Sequence, residues 1–283
     1  MGLLAVGALL LTGLCFRATG AQDKKESKPF RFVVYGDTRD GHDVHRKLVA
    51  LIMKENPFMV FQTGDLVHNG SDPRLWKIYD DITGEMRKKM FVYPVRGNHD
   101  FGGEGYAERM TAPINSGNKD YYTVDNENCH FIVLDVDDHT DFGPKSAQYQ
   151  WLLKDLDAAK AKAKAKHLFV FFHVPPYSIG SHGPSEEVQR VLCPVFIKYG
   201  VRVVFCGHDH IYYHTIRKGI NYVVTGGGGA PLYDIDTGKG AIAGDKYEKV
   251  NHIMVCDVNG DEVTIEALRP DGSSIERFTV SAH

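Results

Sequence analysis

The chain has 283 residues, of which 43% are hydrophobic and 24% charged, and its formal net charge is −3 at pH 7. This length and composition are typical of one large globular domain with a full hydrophobic core. The slightly negative charge excludes the basic field that draws proteins to a nucleic-acid backbone, so no nucleic-acid partner is expected. The 14 histidines are the unusual feature, because histidine is the commonest metal ligand and titrates near neutral pH.

The first 21 residues have the pattern of a secretory signal peptide. The stretch LLAVGALLLTGL is apolar, small residues follow it up to Ala21, and the polar QDKKESK comes next. This apolar run is too short to span a bilayer comfortably. Leu14 disfavours a lipid anchor at Cys15, since Gly or Ala usually precedes a lipidated cysteine. We therefore expect a signal peptide at residues 1–21, a single domain at residues 22–283, and a secreted or periplasmic protein without stable membrane insertion.

The next segment predicts alternating strands and helices. Apolar, strand-like runs end on Gly-Asp at 30–37, on Gly-Asp again at 57–65, and on GNHD at 90–100. Apolar residues at helical spacing predict a helix near 43–55, and the sequence SDPRLW, with a capping aspartate before a proline, opens a second helix. Strands that alternate with helices in this way predict a parallel sheet with crossover helices.

The remainder of the chain continues this pattern and then becomes rich in strands. YYTVD and HFIVLDV predict strands, GPKSAQYQWLLKDLDAAKAKAKAK predicts a helix, and HLFVFFHVPPYS and VRVVFCGHDH predict strands around a helix at 185–199. Five strand-like runs follow from position 211 onward. The four cysteines after the signal peptide show no CxxC spacing, so buried free thiols are expected, with one disulfide as the alternative. They are Cys129, Cys193, Cys206 and Cys256.

Five predicted strands end on polar side chains that can bind a metal ion. They are Asp37; Asp65; Asn98 with His99; His173; and His208 with His210. The carboxyl ends of strands in such sheets converge on one crevice, so these side chains should meet. A single strand-end aspartate is often only a helix cap, but five such ends in one chain favour a metal site. Oxygen and imidazole donors without a thiolate suit Zn, Mn or Fe, and six of them can hold two ions.

The motifs GDTRDG, GDLVHNG, GNHD, HVPP and GHDH follow one another between residues 36 and 210. In this order they resemble the blocks of the calcineurin-like metallophosphoesterases, which include the purple acid phosphatases and the protein Ser/Thr phosphatases. The resemblance implies an α/β (α+β) fold of four layers, a mixed β-sandwich flanked by helices, with metals at the carboxyl ends of the strands. It also implies a dinuclear centre that hydrolyses phosphate esters through in-line attack by a metal-bound hydroxide.

The same resemblance implies a role for each motif residue. Asp65 would bridge both ions. The other ligands would divide into two groups, Asn98, His173 and His208 for one ion, and Asp37 and His210 for the other. His99 matches the catalytic histidine of the family, which faces the phosphoryl group and its leaving oxygen. Asp100 is expected to shape the loop rather than to act directly.

Two positions depart from the family pattern. Most members have a histidine ligand where this chain has Arg39, and purple acid phosphatases, which also lack it, have a tyrosine ligand where this chain has His68. His68 is a candidate substitute ligand, a partner of His99, or a surface residue. Arg39 cannot bind a metal, since a guanidinium has no free lone pair; it would clamp a phosphate or pair with Asp40 or Asp43 at the surface.

Further candidates surround these motifs. His182 lies on a Gly-rich loop after the HVPP motif and is expected to contact substrate or to donate a proton. Tyr212 and His214 are expected to line the pocket, GGGGAPLY (226–233) to form a turn near it, and Asp209 to lie behind the ligands or at the surface.

The sequence thus predicts a secreted, metal-dependent phosphoesterase that acts on a small-molecule phosphate ester. A phosphodiesterase for nucleotides or lipid head groups and a non-catalytic metal- or phosphate-binding module are the alternatives. The sequence leaves the natural substrate, the identity of the metals and the oligomeric state open.

Overall fold

The computed structural model describes Gly2 and residues 27–109, 118–137, 139–161 and 165–282. Apart from Gly2, the predicted signal peptide, residues 1–21, lies outside the described residues, and so does Cys15. Among the residues described, no helix is long and apolar enough to cross a membrane.

Strands and helices alternate over the first part of the chain, and strands dominate the last part. The strands are β1 (Phe30–Tyr35), β2 (Met59–Gln62), β3 (Phe91–Pro94), β4 (Tyr122–Asn126), β5 (Cys129–Val133), β6 (His167–Phe171), β7 (Val203–Cys206), β8 (Tyr212–Arg217), β9 (Ile220–Thr225), β10 (Lys246–Glu248), β11 (Ile253–Asn259), β12 (Glu262–Leu268) and β13 (Ser274–Ser281). The helices are α1 (His42–Glu55), α2 (Pro73–Lys89), α3 (Gly105–Arg109), α4 (Ala147–Ala161), α5 (Glu186–Val191) and α6 (Cys193–Tyr199).

The strands form two mixed sheets. One sheet has the order β13-β12-β11-β1-β2-β3 and the other β10-β8-β9-β7-β6-β5-β4. Strands β1, β2 and β3 are parallel, and α1 and α2 make the crossovers between them, as the sequence predicts. In the second sheet β5, β6, β7 and β9 are parallel. Five of these strands, β1, β2, β3, β6 and β7, have carboxyl ends that lead toward one edge of the molecule.

The alternation of side chains along each strand produces the layers. In β1, Phe32 and Val34 point into the core between the sheets, whereas Val33 and Tyr35 pack with residues of α1 and α2. The outer face of the second sheet packs on α4, α5 and α6 in the same way. The order is therefore helices, sheet, sheet, helices, and the predicted four-layer α/β fold is confirmed.

Aromatic rings fill the core between the two sheets. Phe61 of the first sheet stacks on Phe171 of the second, with ring centroids 4.2 Å apart, and Phe171 stacks in turn on Phe205 at 5.4 Å. All three side chains are fully buried. Replacement of such a ring by alanine costs about 3–5 kcal/mol. This core holds the two sheets in a fixed relation, which matters because both sheets supply residues to the site below.

The single helix predicted at 185–199 is two short helices instead. Leu192 separates α5 from α6, and Pro194 stands in the first turn of α6. Proline lacks the N–H that would continue the hydrogen-bond ladder of α5, so a new helix starts there. The four cysteines of the described chain are buried and free.

Candidate metal centre

Each predicted metal-binding side chain follows the carboxyl end of a buried strand. Asp37 follows β1, Asp65 follows β2, and Asn98 and His99 follow β3. His173 follows β6, and His208 and His210 follow β7. Because β1, β2 and β3 belong to one sheet and β6 and β7 to the other, the structure brings these seven residues together across the seam between the sheets.

Three of these residues have a left-handed backbone, which is rare for any residue but glycine. The φ angles are 58° at Asp37, 52° at Asp65 and 70° at His208. The glycines beside them allow close packing: a Cβ on Gly207 would collide with the Asp37 carboxylate, and one on Gly97 with Asp65. Backbone strain of this kind costs about 1–3 kcal/mol per residue and concentrates at functional sites.

Asn98, His173 and His208 form one half of the cluster with Asp65. The Asn98 Oδ1 atom lies 3.0 Å from His173 Nε2 and 3.2 Å from His208 Nδ1, and the two ring nitrogens are 3.2 Å apart. Asp65 Oδ1 is 3.4 Å from His173 Nε2. Donor atoms about 3.3 Å apart are what four ligands at about 2.0–2.1 Å from one ion would show. We call these four residues the Asn98 half.

A hydrogen bond on the side of the ring away from the cluster fixes the orientation of His173. Its Nδ1 donates to the backbone carbonyl of Thr63 at 2.8 Å, which leaves the Nε2 lone pair directed at the cluster. An imidazole held in this way by a carbonyl is the usual arrangement of a metal ligand.

Asp37, Asp65 and His210 form the other half, which we call the Asp37 half. One donor atom from each lies within 4.8 Å of the other two, and all three residues are buried. The Nδ1 of His210 donates to the carbonyl of Pro231 at 2.7 Å, and its Nε2 lies 3.5 Å from Asp37 Oδ1. That Nε2 is buried and has no hydrogen-bond partner. A buried acceptor without a partner costs about 1–3 kcal/mol, and this orphan nitrogen indicates that the donor set fits a cation.

Burial and neighbouring charges tune the ligands. Burial raises the pKa of Asp37, against the opposing effect of His210 and His173. Burial, together with the surrounding imidazoles, lowers the pKa of His208 to about 2. Burial alone would lower the pKa of His173, but the carboxylates of Asp65 and Asp37 raise it. A bound cation would favour the ionised carboxylates and the neutral rings, which are the forms that ligate metals.

Arg39 lies beside the Asp37 half. Its Nε is 3.4 Å from Asp65 Oδ2, and its Nη1 donates to Asp40 at 2.8 Å. Only 12% of the side chain is exposed. Burial alone would lower the pKa of Arg39, but Asp65 and Asp37 raise it, so its charge is retained next to the shared carboxylate. The predicted pairing with Asp40 is present, and it turns the guanidinium inward rather than onto the surface.

His68 does not join either half. Its Nδ1 lies 3.1 Å from Asp40 Oδ2, and 56% of its side chain is exposed. Its backbone carbonyl accepts a 2.7 Å hydrogen bond from His99 Nδ1, and the two rings are 5.2 Å apart. The contact with His99 is therefore made chiefly through the main chain of His68, and the imidazole faces outward.

His99 lies beside Asp65, and His182 lies beside His208. The backbone N–H of His99 donates to Asp65 Oδ1 at 3.0 Å, and its Nε2 is 3.9 Å from Asp65 Oδ2, with 28% of the side chain exposed. The exposed ring of His182 lies 4.1 Å, centroid to centroid, from the ring of His208. Both imidazoles are thus positioned to reach a ligand bound at the cluster.

Asp100 connects two of the loops. One of its oxygens accepts from the backbone N–H groups of Leu66 and Val67, at 2.8 and 3.2 Å, and the other accepts from Gly97 at 2.9 Å. Burial raises the pKa of Asp100 to about 7. Its hydrogen bonds fix the position of Asp65 relative to Asn98.

Tyr212 and His214 lie away from the cluster, on β8. The hydroxyl of Tyr212 donates to Glu276, and His214 packs against Glu276 and stacks on Phe278 at 4.1 Å. They were predicted to line the pocket because they follow the last motif in sequence. The pleat of β8 turns them toward the core and β13 instead.

Sequence reasoning missed one contributor to the centre and left the place of another open. Tyr233 stacks on His210 with ring centroids 4.0 Å apart, and its backbone N–H donates to the carbonyl of His210 at 3.2 Å. Asp209, expected to lie behind the ligands or at the surface, is fully buried and binds the loop that carries His182. The signal in the sequence that could have indicated Tyr233 is the GGGGAPLY stretch, which ends at this residue.

Residues 30–212 match the family model described as calcineurin-like phosphoesterase. Among curated proteins, the tartrate-resistant acid phosphatase type 5 of Mus musculus is 29% identical over 188 residues, which cover 57% of this chain and 56% of that protein. A purple acid phosphatase of Glycine max is 28% identical over 228 residues, which cover 73% of this chain and 48% of that protein. The chain thus spans about half the length of these curated relatives.

A solved structure shares the fold. The purple acid phosphatase from yellow lupin (Lupinus luteus) seeds superposes with a TM-score of 0.76 at 19% identity, covering 90% of this chain and 54% of that chain.

Proposed function

The chain belongs to the calcineurin-like phosphoesterase family, and on this premise we propose that it hydrolyses phosphate esters with a dinuclear metal centre. The orphan Nε2 of His210 carries the proposal, since it is a buried lone pair aimed at two carboxylates with no proton donor to satisfy it. The likeness to acid phosphatases supports the reaction class.

We propose that the Asn98 half binds one ion, that Asp37 and His210 bind the other, and that Asp65 is shared. The oxygen and imidazole donors suit Zn, Mn or Fe. When bound, the two ions would activate water for attack on phosphorus and offset the charge on the phosphoryl oxygens.

His99 is proposed as the group that assists the leaving oxygen. Because its Nδ1 donates to the carbonyl of His68, the Nε2 is the atom that carries or releases a proton on the side of the cluster. His182, whose ring lies beside that of His208, is proposed to contact the phosphoryl group or to share this role. A module that only binds metal or phosphate would need neither ring at these positions.

Arg39 is proposed to orient the phosphoryl group. Its guanidinium is already held beside Asp65 by Asp40, so little conformational entropy is lost when it binds an anion. We further propose that the substrate is a small phosphate ester and that the protein is exported, since the N-terminal stretch has the pattern of a secretory signal.

The experiment is a comparison of mono- and diester hydrolysis. Protein loaded with Mn, Zn or Fe should hydrolyse p-nitrophenyl phosphate or bis(p-nitrophenyl) phosphate, and exhaustive chelation should abolish the activity. The ratio of the two rates separates a monoesterase from a phosphodiesterase. His99→Ala should lower kcat by about 100-fold, whereas the control His167→Gln, at the amino end of β6 and away from the centre, should not. Metal binding without hydrolysis of either ester would favour a binding module and refute the proposal.

A further inference from the structure

The carboxylate of Asp209 is the anchor of the loop at 178–183. Its Oδ1 accepts from the backbone N–H of His182 at 2.9 Å, and its Oδ2 accepts from that of Gly183 at 3.2 Å. The hydroxyl of Ser178 donates to the same Oδ2. The side chain is fully buried, and a Cβ on Gly180 would collide with it. The loop therefore wraps directly around this carboxylate.

The opposite side of the loop is held by the segment 233–239. Lys239 Nζ donates to the carbonyls of Gly180, at 2.8 Å, and Ser181, at 2.6 Å. The backbone N–H of Asp236 donates to the carbonyl of Ile179 at 2.8 Å. Lys239 thus binds backbone acceptors of the loop, and Asp209 binds its backbone donors.

Asp209 also joins the loop to the metal ligands. It stands between His208 and His210, which belong to different halves of the cluster. Asp209 therefore links the backbone of the loop to the segment that carries both histidines. The ring of His182 is placed 4.1 Å from the ring of His208 and 5.4 Å from that of Tyr233.

We propose that Asp209 and Lys239 act as a clamp that fixes His182 beside the metal centre, so that both are positioning residues for the reaction. This inference rests on the proposed function. A carboxylate suits the task because it only accepts, and it meets three donors. Asparagine would turn an N–H toward at least one of them. The clamp holds the loop at 178–183 in place before substrate binds. Such preorganisation matters because the rate of a reaction can depend on placement within a fraction of an ångström.

Hydrogen exchange tests the clamp without reference to catalysis. In the metal-loaded protein, the amides of His182 and Gly183 should exchange at least about tenfold faster in Asp209→Asn than in the wild type, since each loses a charge-assisted hydrogen bond. Lys239→Met, which keeps the aliphatic stem, should speed exchange across the same loop. Lys77→Met is the matched control, because Lys77 pairs with the exposed Asp81 on α2 and touches neither the loop nor the segment 233–239. Unchanged exchange in both loop variants would overturn the clamp.

A double-mutant cycle tests whether the clamp acts through His182. Each clamp variant should lower kcat about tenfold with bound metal unchanged, and should have no further effect in a His182→Ala background. Equal losses with and without His182 would show that the two residues act through the fold, which would overturn their positioning role. Should the wild type hydrolyse no phosphate ester, the proposed function fails, while the exchange experiment still decides whether the clamp exists.

Discussion

The two halves of the metal centre share Asp65 but differ in completeness. The Asn98 half offers four donors, with adjacent atoms 3.0–3.4 Å apart. The Asp37 half offers three, and the cationic Arg39 lies 3.4 Å from the shared carboxylate. Of the two departures from the family pattern, Arg39 lies beside Asp65, whereas the ring of His68 pairs with Asp40 and supplies no donor to either half. The comparison indicates that the proposed dinuclear centre would hold its two ions with unequal affinity.

The largest expected effect comes from removing what the two halves share. Asp65→Ala should lose both ions and lower activity by far more than 100-fold. Loss of a residue that only hydrogen-bonds to a metal ligand already costs about 10- to 100-fold in metal affinity or activity. Metal content by mass spectrometry and the rate with p-nitrophenyl phosphate are the measurements. Asp81→Ala, an exposed helix residue paired with Lys77, is the control. A variant that keeps one tightly bound ion would show that the halves are independent of Asp65.

Removal of one ligand from each half separates them. His210→Ala should retain one ion in the intact Asn98 half, whereas His173→Ala leaves three donors in each half, with Asp65 shared, and should lose more metal during dialysis. The measurement is metal per chain after dialysis against a weak chelator. Identical metal loss in the two variants would contradict the inequality.

Arg39 offers a way to make the halves more alike. Arg39→Met removes the charge beside Asp65 and should strengthen the weaker site about tenfold, as the desolvated cation no longer opposes a metal ion. Arg39→His should strengthen it further, because an imidazole can ligate. Calorimetric titration of metal into the apoprotein gives both affinities. If neither variant changes the weaker affinity, Arg39 is not the cause of the difference.

The smallest effect is expected at His68. Its ring pairs with Asp40 at an exposed position, and exposed pairs contribute about 0–1 kcal/mol, so His68→Ala should keep both ions and most of the activity. Metal analysis decides the point. Loss of one ion would instead identify His68 as the substitute ligand for the Asp37 half.

The convergence of the candidate ligands could be predicted because several of them are marked locally. Asp37, Asp65 and His208 follow a buried apolar strand and a glycine, and parallel strands bring such ends together whatever the details of packing. The same local logic predicts the order of strands and helices that forms the sandwich.

The remainder depended on contacts between segments remote in sequence. Asp209 shares the strand end of His208 and His210, but the sequence leaves its direction open, and only the folded loop at 178–183 reveals why it is buried. The direction of the Arg39 side chain follows from Asp40 and Asp65 acting together, which spacing does not disclose. The expectation that Tyr212 and His214 line the pocket is wrong for the opposite reason. They are close to the GHDH motif in sequence, but they belong to β8, and their side chains face the core and β13.

The position of β1 has a consequence for how the protein is made. Phe32 pairs with Met59 on one side and with Cys256 on the other. While the chain is being synthesised, the second edge of this strand has no partner until β11 emerges from the ribosome. Pairings so distant in sequence fold slowly, and open strand edges invite aggregation in the interval. Because Asp37 lies at the end of this strand, one candidate ligand is carried by a strand whose full pairing requires residues 253–259.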